Sequence, residues 1–275
     1  MTDPPSGERL NRFIARSGVA SRREADRLVQ AGQVTVNGQV VRNPATSVDP
    51  ERDHVKVRGR LVPRPHPPVY YLLYKPKGVL TTRKDPEGRL CVQDLLPPLP
   101  CRVEPVGRLD FNTEGALLLT NDGELARRLA HPRWAVPRKY HAKVWRTPTE
   151  KTLDKIRAGI HLEDGRTVPA KCRLTGETDK GNAWVEITVA EGRNRLIRRL
   201  FTALGHPVSK LTRVSFAGIS IRGMERGQLR PLTGLEVQRL RRLVSDEGSP
   251  GGRGSRPAGW ARPKARGRRH GPSRA

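Results

Sequence analysis

The sequence is short of aromatic residues, cysteine and acid, and each shortage narrows what the chain can be. Aromatics make up 4% of its 275 residues, while Gly (27) and Pro (24) are plentiful. Part of the length is therefore predicted to stay unstructured. Cys91, Cys101 and Cys172 stand alone, odd in number and without a Cys-x-x-Cys spacing. That speaks against a disulfide framework or a zinc site and fits a reducing compartment. The scattered histidines add no ligand spacing, so neither a metal nor a cofactor is expected. No apolar run approaches a membrane span, and the opening MTDPPSGERL lacks the basic and apolar regions of a secretory signal. A soluble, cytoplasmic protein is expected.

The shortage of acid has the largest consequence. Asp and Glu number 27 against 53 Lys and Arg, a formal net charge of +26. Such an excess predicts a polyanionic partner, because neutralised phosphates release counterions and the field steers association. A general arginine bias would spread the charge evenly, yet residues 248–275 hold eight basic residues and no acidic one.

Residues 8–60 read as a small unit. Leu10, Phe13 and Ile14 mark a short helix, and SRREADRLVQAG opens with Ser21 and Glu24 in capping-box spacing and closes at Gly32. VTVNGQVV is an alternating strand pair with Asn37-Gly38 as its turn, and DHVKVRG supplies another strand. Arginines 9, 12, 16, 22, 23 and 27 lie on the helices, which by charge alone is only a solvated basic face. The order helix, helix, Val-x-Val-Asn-Gly resembles the S-four-type RNA-binding domain, a resemblance implying that Arg9, Arg22, Arg23 and Arg27 contact RNA phosphates. LVPRPHPP, residues 61–68, is a Pro-rich linker.

From Val69 strands and helices mix. VYYLLY, ALLLT, YHAKVW, TVPAKCRL, AWVEITV and VSKLTRVSF read as strands; NDGELARRLA, EKTLDKIRAG, GRNRLIRRLFTALG and GLEVQRLRRLV read as helices. Asn121 with Glu124, and Thr233 with Glu236, stand in capping positions. No regular strand–helix alternation appears, so the expected class is α+β with a mixed or antiparallel sheet. The expected divisions are a disordered 1–7, a module 8–60, a linker 61–68, a main domain 69–244 and a basic disordered tail 245–275.

GRLDFNTEGALLLTND, residues 107–122, places Asp110 between apolar Leu109 and Phe111 at the entrance to an apolar strand. The plain reading is a turn residue accepting backbone hydrogen bonds. The alternative is a carboxylate kept ionised by Arg108 or a later arginine, suited to act as nucleophile or general base. In GRNRLIRRLFTALG, Leu196, Ile197, Leu200, Phe201 and Leu204 share one helix face. Arg195 and Arg199 then point away, to solvent or RNA. Arg193 falls on the apolar side at the helix start and Arg198 on its flank, either snorkelling or reaching a buried carboxylate.

GRLDFNTEGALLLTNDG closely resembles the catalytic motif of the RsuA/RluB-type ribosomal RNA pseudouridine synthases. RKYHAKV resembles their second motif, EGRNRLIRRLFTALGHPVSKLTRVSFAGI their third, and YKPKG the lead strand and turn before the catalytic domain. The resemblance spans residues 8 to about 244, with two departures: Ala116 where Leu is usual, and Leu196 where a polar residue is common. It implies a mixed or antiparallel-sheet catalytic domain behind a small α/β RNA-binding module, in a bacterial rRNA-modifying isomerase. It also implies that Asp110 is the nucleophile and that Tyr140 stacks on the target base, its hydroxyl available for proton transfer. Arg198 would ion-pair with Asp110, and Arg108 would help to hold the extruded nucleotide.

Isomerising uridine needs a carboxylate at the sugar and an aromatic platform for the unstacked base, but no metal or redox group. A non-catalytic ribosome-assembly factor is the competing reading, and the joint presence of Asp110, Tyr140 and Arg198 argues against it. A methyltransferase would need a Gly-rich cofactor loop and a tRNA synthetase its HIGH-type and KMSKS-type signatures; none is read here. The expected substrate is ribosomal RNA or an assembly intermediate, 23S before 16S, met by a monomer.

Overall fold

The structure, a computed structural model, describes residues 7–245 apart from Lys84, Asp179 and Lys180. The expected disordered termini lie outside the described residues except for Gly7 and Ser245.

Helices α1 (Leu10–Arg16) and α2 (Arg22–Gln30) cover a small antiparallel sheet ordered Gln39–Val40, Val34–Val36, Val55–Val57, Arg60–Leu61. The Ser21 hydroxyl accepts from the Glu24 amide at 3.2 Å and caps α2. Asn37 and Gly38, at φ +50° and +85°, make the tight turn between the first two strands of the hairpin. Leu10, Phe13, Ile14, Leu28, Val29, Val34, Val55 and Val57 close the core, each worth roughly 1.5–3 kcal/mol when fully buried. Val62 also belongs to this core, so the unit reaches two residues into the expected linker. Arg9, Arg22, Arg23 and Arg27 are all exposed. Arg27 pairs with Glu24 at 3.3 Å, whereas Arg12 and Arg16 are taken by Glu8 at 3.0 and 2.8 Å.

The rest of the chain is organised on a nine-stranded sheet: β1 (Tyr70–Lys75), β2 (Glu104–Pro105), β3 (Glu114–Thr120), β4 (Arg138–Val144), β5 (Lys171–Glu177), β6 (Ala183–Val189), β7 (Val208–Phe216), β8 (Ile219–Ser220) and β9 (Leu229–Pro231). The order is β5-β6-β4-β7-β3-β1-β9, with β2 on β3 and β8 on β7. All pairings are antiparallel except β7 with β3, which makes the sheet mixed, as its irregular strand–helix order predicts. β3 is buried on both faces: Leu117 and Leu119 enter one core, Ala116 and Leu118 the other. That double burial explains the unbroken apolar run.

This part of the chain also forms helices α3 (Gly123–Ala130), α4 (Glu150–Ala158), α5 (Leu196–Ala203) and α6 (Gly234–Leu243). Thr233 and Glu236 form the expected capping box. The cap of α3 is Asp122, not Asn121. Asn121 instead accepts from Val69 N and donates to the carbonyls of His66 and Pro67, pinning the end of the linker. β5 begins at Lys171, later than TVPAKCRL suggests, because Thr167 turns back to bond Ile160 and Pro169 has no amide to give a ladder. The third-motif helix starts at Leu196, because Arg195 sits at φ +47° and leaves Gly192–Arg195 as a loop. Arg193 is therefore not on a helix face; it pairs with Glu191 at 2.8 Å and donates to the Gly165 and Arg166 carbonyls.

Candidate active site

Asp110 stands in the loop between β2 and β3, and buried contacts hold that loop from three sides. The Thr113 amide donates to the Asp110 carbonyl at 3.0 Å, closing a turn. Thr81 Oγ1 both accepts from Leu109 N and donates to Leu109 O, at 3.2 and 2.7 Å. Gly78 N donates to Phe111 O at 2.8 Å. Beneath the turn, the fully buried Lys75 ammonium donates to the carbonyls of Pro76, Asp110 and Thr113 at 3.0, 3.2 and 2.9 Å. Burial pulls the Lys75 pKa down to about 8, although the Asp110 carboxylate works in the opposite direction.

β3 then runs beside β7 with no room for a side chain at Gly115. At φ +121°, a Cβ there would lie 2.6 Å from Arg213 N and closer still to its carbonyl oxygen. This glycine sets how near the Asp110 loop comes to the strand that carries Arg213.

Register explains the rest of the site. Tyr140 on β4 faces Ile187 on one side and Arg213 on the other, and Arg138 faces Phe216. Directly opposed residues share a face, so Arg138, Tyr140, Arg213 and Phe216 share one. In a regular strand Arg213 and Phe216, three apart, would point to opposite faces. The bulge opposite Lys139 and Tyr140 inserts Val214 and brings both to the same side. These four residues line a cavity of about 260 Å³ together with Arg108, Leu109, Asp110, Thr113, residues 191–195 and the start of α5.

The expected site residues thus divide. Asp110, half-buried, Tyr140, 9% exposed, and Arg108, exposed, line one cavity. Arg198 does not ion-pair with Asp110. Its fork donates to Asn112 O at 2.9 Å and to Val208 O at 3.2 Å, so it braces the loop's backbone. Burial lowers the Arg198 pKa while the Asp110 charge raises it, an attraction through space without a direct bond. Arg199 does not face outward unpaired but meets Asp164 at 2.8 Å. Arg9, Arg22, Arg23 and Arg27 lie on the N-terminal unit and do not line this cavity.

Lys75, Arg138 and Arg213 are the cations that sequence reasoning overlooked, and Arg195, expected to face solvent or RNA, is exposed and lines the same cavity. Arg138 is 9% exposed and Arg213 2%, and burial depresses the Arg138 pKa. The available signal was a charged residue inside an otherwise apolar strand, as in LLYK and LTRVSF. Among the described residues, no group of three or more His, Cys, Asp or Glu is arranged to hold a metal, and no helix is long and apolar enough to cross a membrane.

A mixed sheet whose face carries an aromatic ring and buried cations, beside a loop carboxylate in one cavity, has the makings of an enzyme site for an anionic substrate. The comparisons give the family. Residues 69–203 match the model of the RNA pseudouridylate synthases and residues 8–54 that of the S4 domain. The chain is 46% identical to the "Ribosomal large subunit pseudouridine synthase B" of Bacillus subtilis (strain 168), over 86% of this chain and 97% of that protein. It is 41% identical to the protein of that name from Haemophilus influenzae, over 86% of this chain and 68% of the relative. A solved pseudouridylate synthase superposes with a TM-score of 0.60 at 29% identity, covering 84% of this chain and 99% of the other. The chain belongs to the RNA pseudouridylate synthase family, with an S4 domain at its N-terminus.

Proposed function

We propose that the protein converts a specific uridine of large-subunit (23S) ribosomal RNA to pseudouridine, acting as a cytoplasmic monomer. The observation that carries this reading is Asp110, whose loop is held through the Asp110 and Asn112 carbonyls and which lines the same cavity as Tyr140. Asp110 is the nucleophile at the ribose. Tyr140 stacks on the extruded uracil, and Arg108 at the exposed rim holds the nucleotide's phosphate. Arg198 positions the loop through Asn112. The module at 8–60 supplies Arg9, Arg22, Arg23 and Arg27 as phosphate contacts, and the main domain at 69–244 supplies the chemistry. The names of the Bacillus and Haemophilus relatives support 23S over 16S rRNA as the target.

Asp110→Asn tests the assignment: the amide keeps the shape but cannot act as nucleophile or base, so the variant should fold, bind RNA and make no pseudouridine. Carbodiimide–primer extension on rRNA from cells with and without the protein identifies the target. Wild-type turnover by Asp110→Asn would overturn the site. Loss of a 16S modification alone would overturn the target.

A further inference from the structure

Arg138 and Arg213 are buried in the cavity wall, and no ion pair of the described residues includes either one. Their Cζ atoms lie 5.4 and 4.8 Å from the centre of the Phe216 ring. Arg213 Nε donates to Ala116 O at 2.7 Å and Arg138 Nη1 to Val136 O at 3.1 Å, which fixes both forks. Arg213 Nη2 is buried without a hydrogen-bond partner. Two like charges placed together in an apolar wall are unfavourable unless an anion arrives to meet them.

We propose that Arg213, with Arg138 beside it, receives the negative charge of the uracil while the base is detached from the ribose. This proposal rests on the pseudouridine synthase reading and adds to that site a group for the leaving base. When the N1–C1′ bond breaks, its electron pair stays with uracil, spread over N1, O2 and O4. The charge is discharged when C5 bonds to C1′: the C5 proton is lost and N1 gains one, so product and substrate are isomers. Uracil is neutral before and after, so a fixed guanidinium beside it acts most strongly on the intermediate stage.

The alternative anion is a backbone phosphate, and the layout of the cavity argues against it. Arg108 and Arg195 are exposed at the same cavity, where a phosphate keeps its water. Arg138 and Arg213 lie deeper, among Val106, Tyr140, Leu211 and Phe216, surroundings that suit a flat base. A guanidinium only donates, so it also favours the O4 acceptor of uracil over the 4-amino donor of cytosine.

The test uses the full chain and in-vitro-transcribed ribosomal RNA tritiated at uracil C5, on which the wild type releases tritium. Arg213→Gln should lower kcat on the order of 100- to 1000-fold, as losing one preorganised charge donor does. RNA affinity by filter binding should stay within about twofold, because ground-state uracil is neutral. Arg213→Lys should fall between, and millimolar guanidinium should restore part of the turnover of Arg213→Ala where equal sodium chloride does not. An unchanged kcat with weakened RNA binding would make Arg213 a phosphate anchor and overturn the proposal. So would a loss that follows the folded fraction by circular dichroism and resists guanidinium. Active Asp110→Asn would instead overturn the underlying function, leaving the two failures distinct.

Discussion

Lys75 should make activity and stability move in opposite directions as pH rises. Its ammonium is fully buried beneath the Asp110 turn and spans three carbonyls, with its pKa pulled from an ordinary 10.5 to about 8. Above pH 8 the folded protein releases this proton while the unfolded chain still holds it. A folded pKa below the unfolded one means that stability increases between about pH 8 and 10.5. Over that window the gain is about 3 kcal/mol, from roughly 1.4 kcal/mol per pH unit. Activity should fall across the same rise, because the neutral amine keeps only two donors for three carbonyls and turns a lone pair toward them. Lys75→Met removes the titration. Urea midpoints of wild type and Lys75→Met from pH 7 to 10.5 isolate the stability part, and single-turnover rates on rRNA isolate the activity part. The wild type should show an alkaline limb near pH 8 that is absent from a slower Lys75→Met. A limb that persists in Lys75→Met, or a stability difference that does not grow with pH, would refute this role.

Arg198→Ala should slow turnover strongly, because it frees Asn112 O and Val208 O beside the Asp110 loop; Arg199→Ala, which loses an exposed partner in Asp164, should stay near wild type in kcat and shift the denaturation midpoint only slightly. Equal catalytic losses at the two positions, with matched folding, would contradict this division. Gly115→Ala should destabilise by about 3 kcal/mol or more, since a side chain at φ +121° is strained and also meets the Arg213 backbone, and a urea-midpoint loss under about 1 kcal/mol would refute the close approach. Deleting 248–275 removes eight positive charges, so the salt dependence of RNA binding should flatten by roughly 0.7–0.9 in log–log slope for each charge that touches phosphate. An unchanged slope would mean that the tail does not touch RNA.

Elements set by short-range signals could be read directly. AWVEITV and VSKLTRVSF form strands with the predicted limits, Asn37-Gly38 makes its turn, and Thr233 with Glu236 makes its capping box. The two motifs carrying Asp110 and Tyr140 could be read as well, and the structure brings these two residues to one cavity. Long-range geometry could not. The start of α5 depends on one residue in a left-handed conformation, which the helix-like spacing of GRNRLIRR conceals. The face of Arg213 depends on a bulge, and no count by twos along LTRVSF reveals an extra residue. The family resemblance pairs Arg198 with Asp110, but a half-buried fork bonds whichever acceptors lie at the right distance, and here those are carbonyls.

The absence of a direct ion pair at Asp110 among the described residues has a mechanistic consequence. A carboxylate gripped by a guanidinium has its lone pairs occupied, and part of that interaction must be released before an oxygen can approach C1′. Here the surrounding cations are each satisfied elsewhere: Lys75 by three carbonyls, and Arg198 by the carbonyls of Asn112 and Val208. They hold the loop by its backbone and act on the carboxylate only through their fields. On the proposed role of Asp110, its oxygens, with no ion pair among the described residues, can meet a sugar that becomes electron-poor as its base departs. Arg138 and Arg213, on the sheet face next to Tyr140, would offer fixed positive charge to the base on the role proposed for them. On the proposed roles, opposite charges stand on the two sides of the bond that must break before substrate enters. Little reorganisation is then left for the reaction itself, and that condition makes fixed charges effective in catalysis.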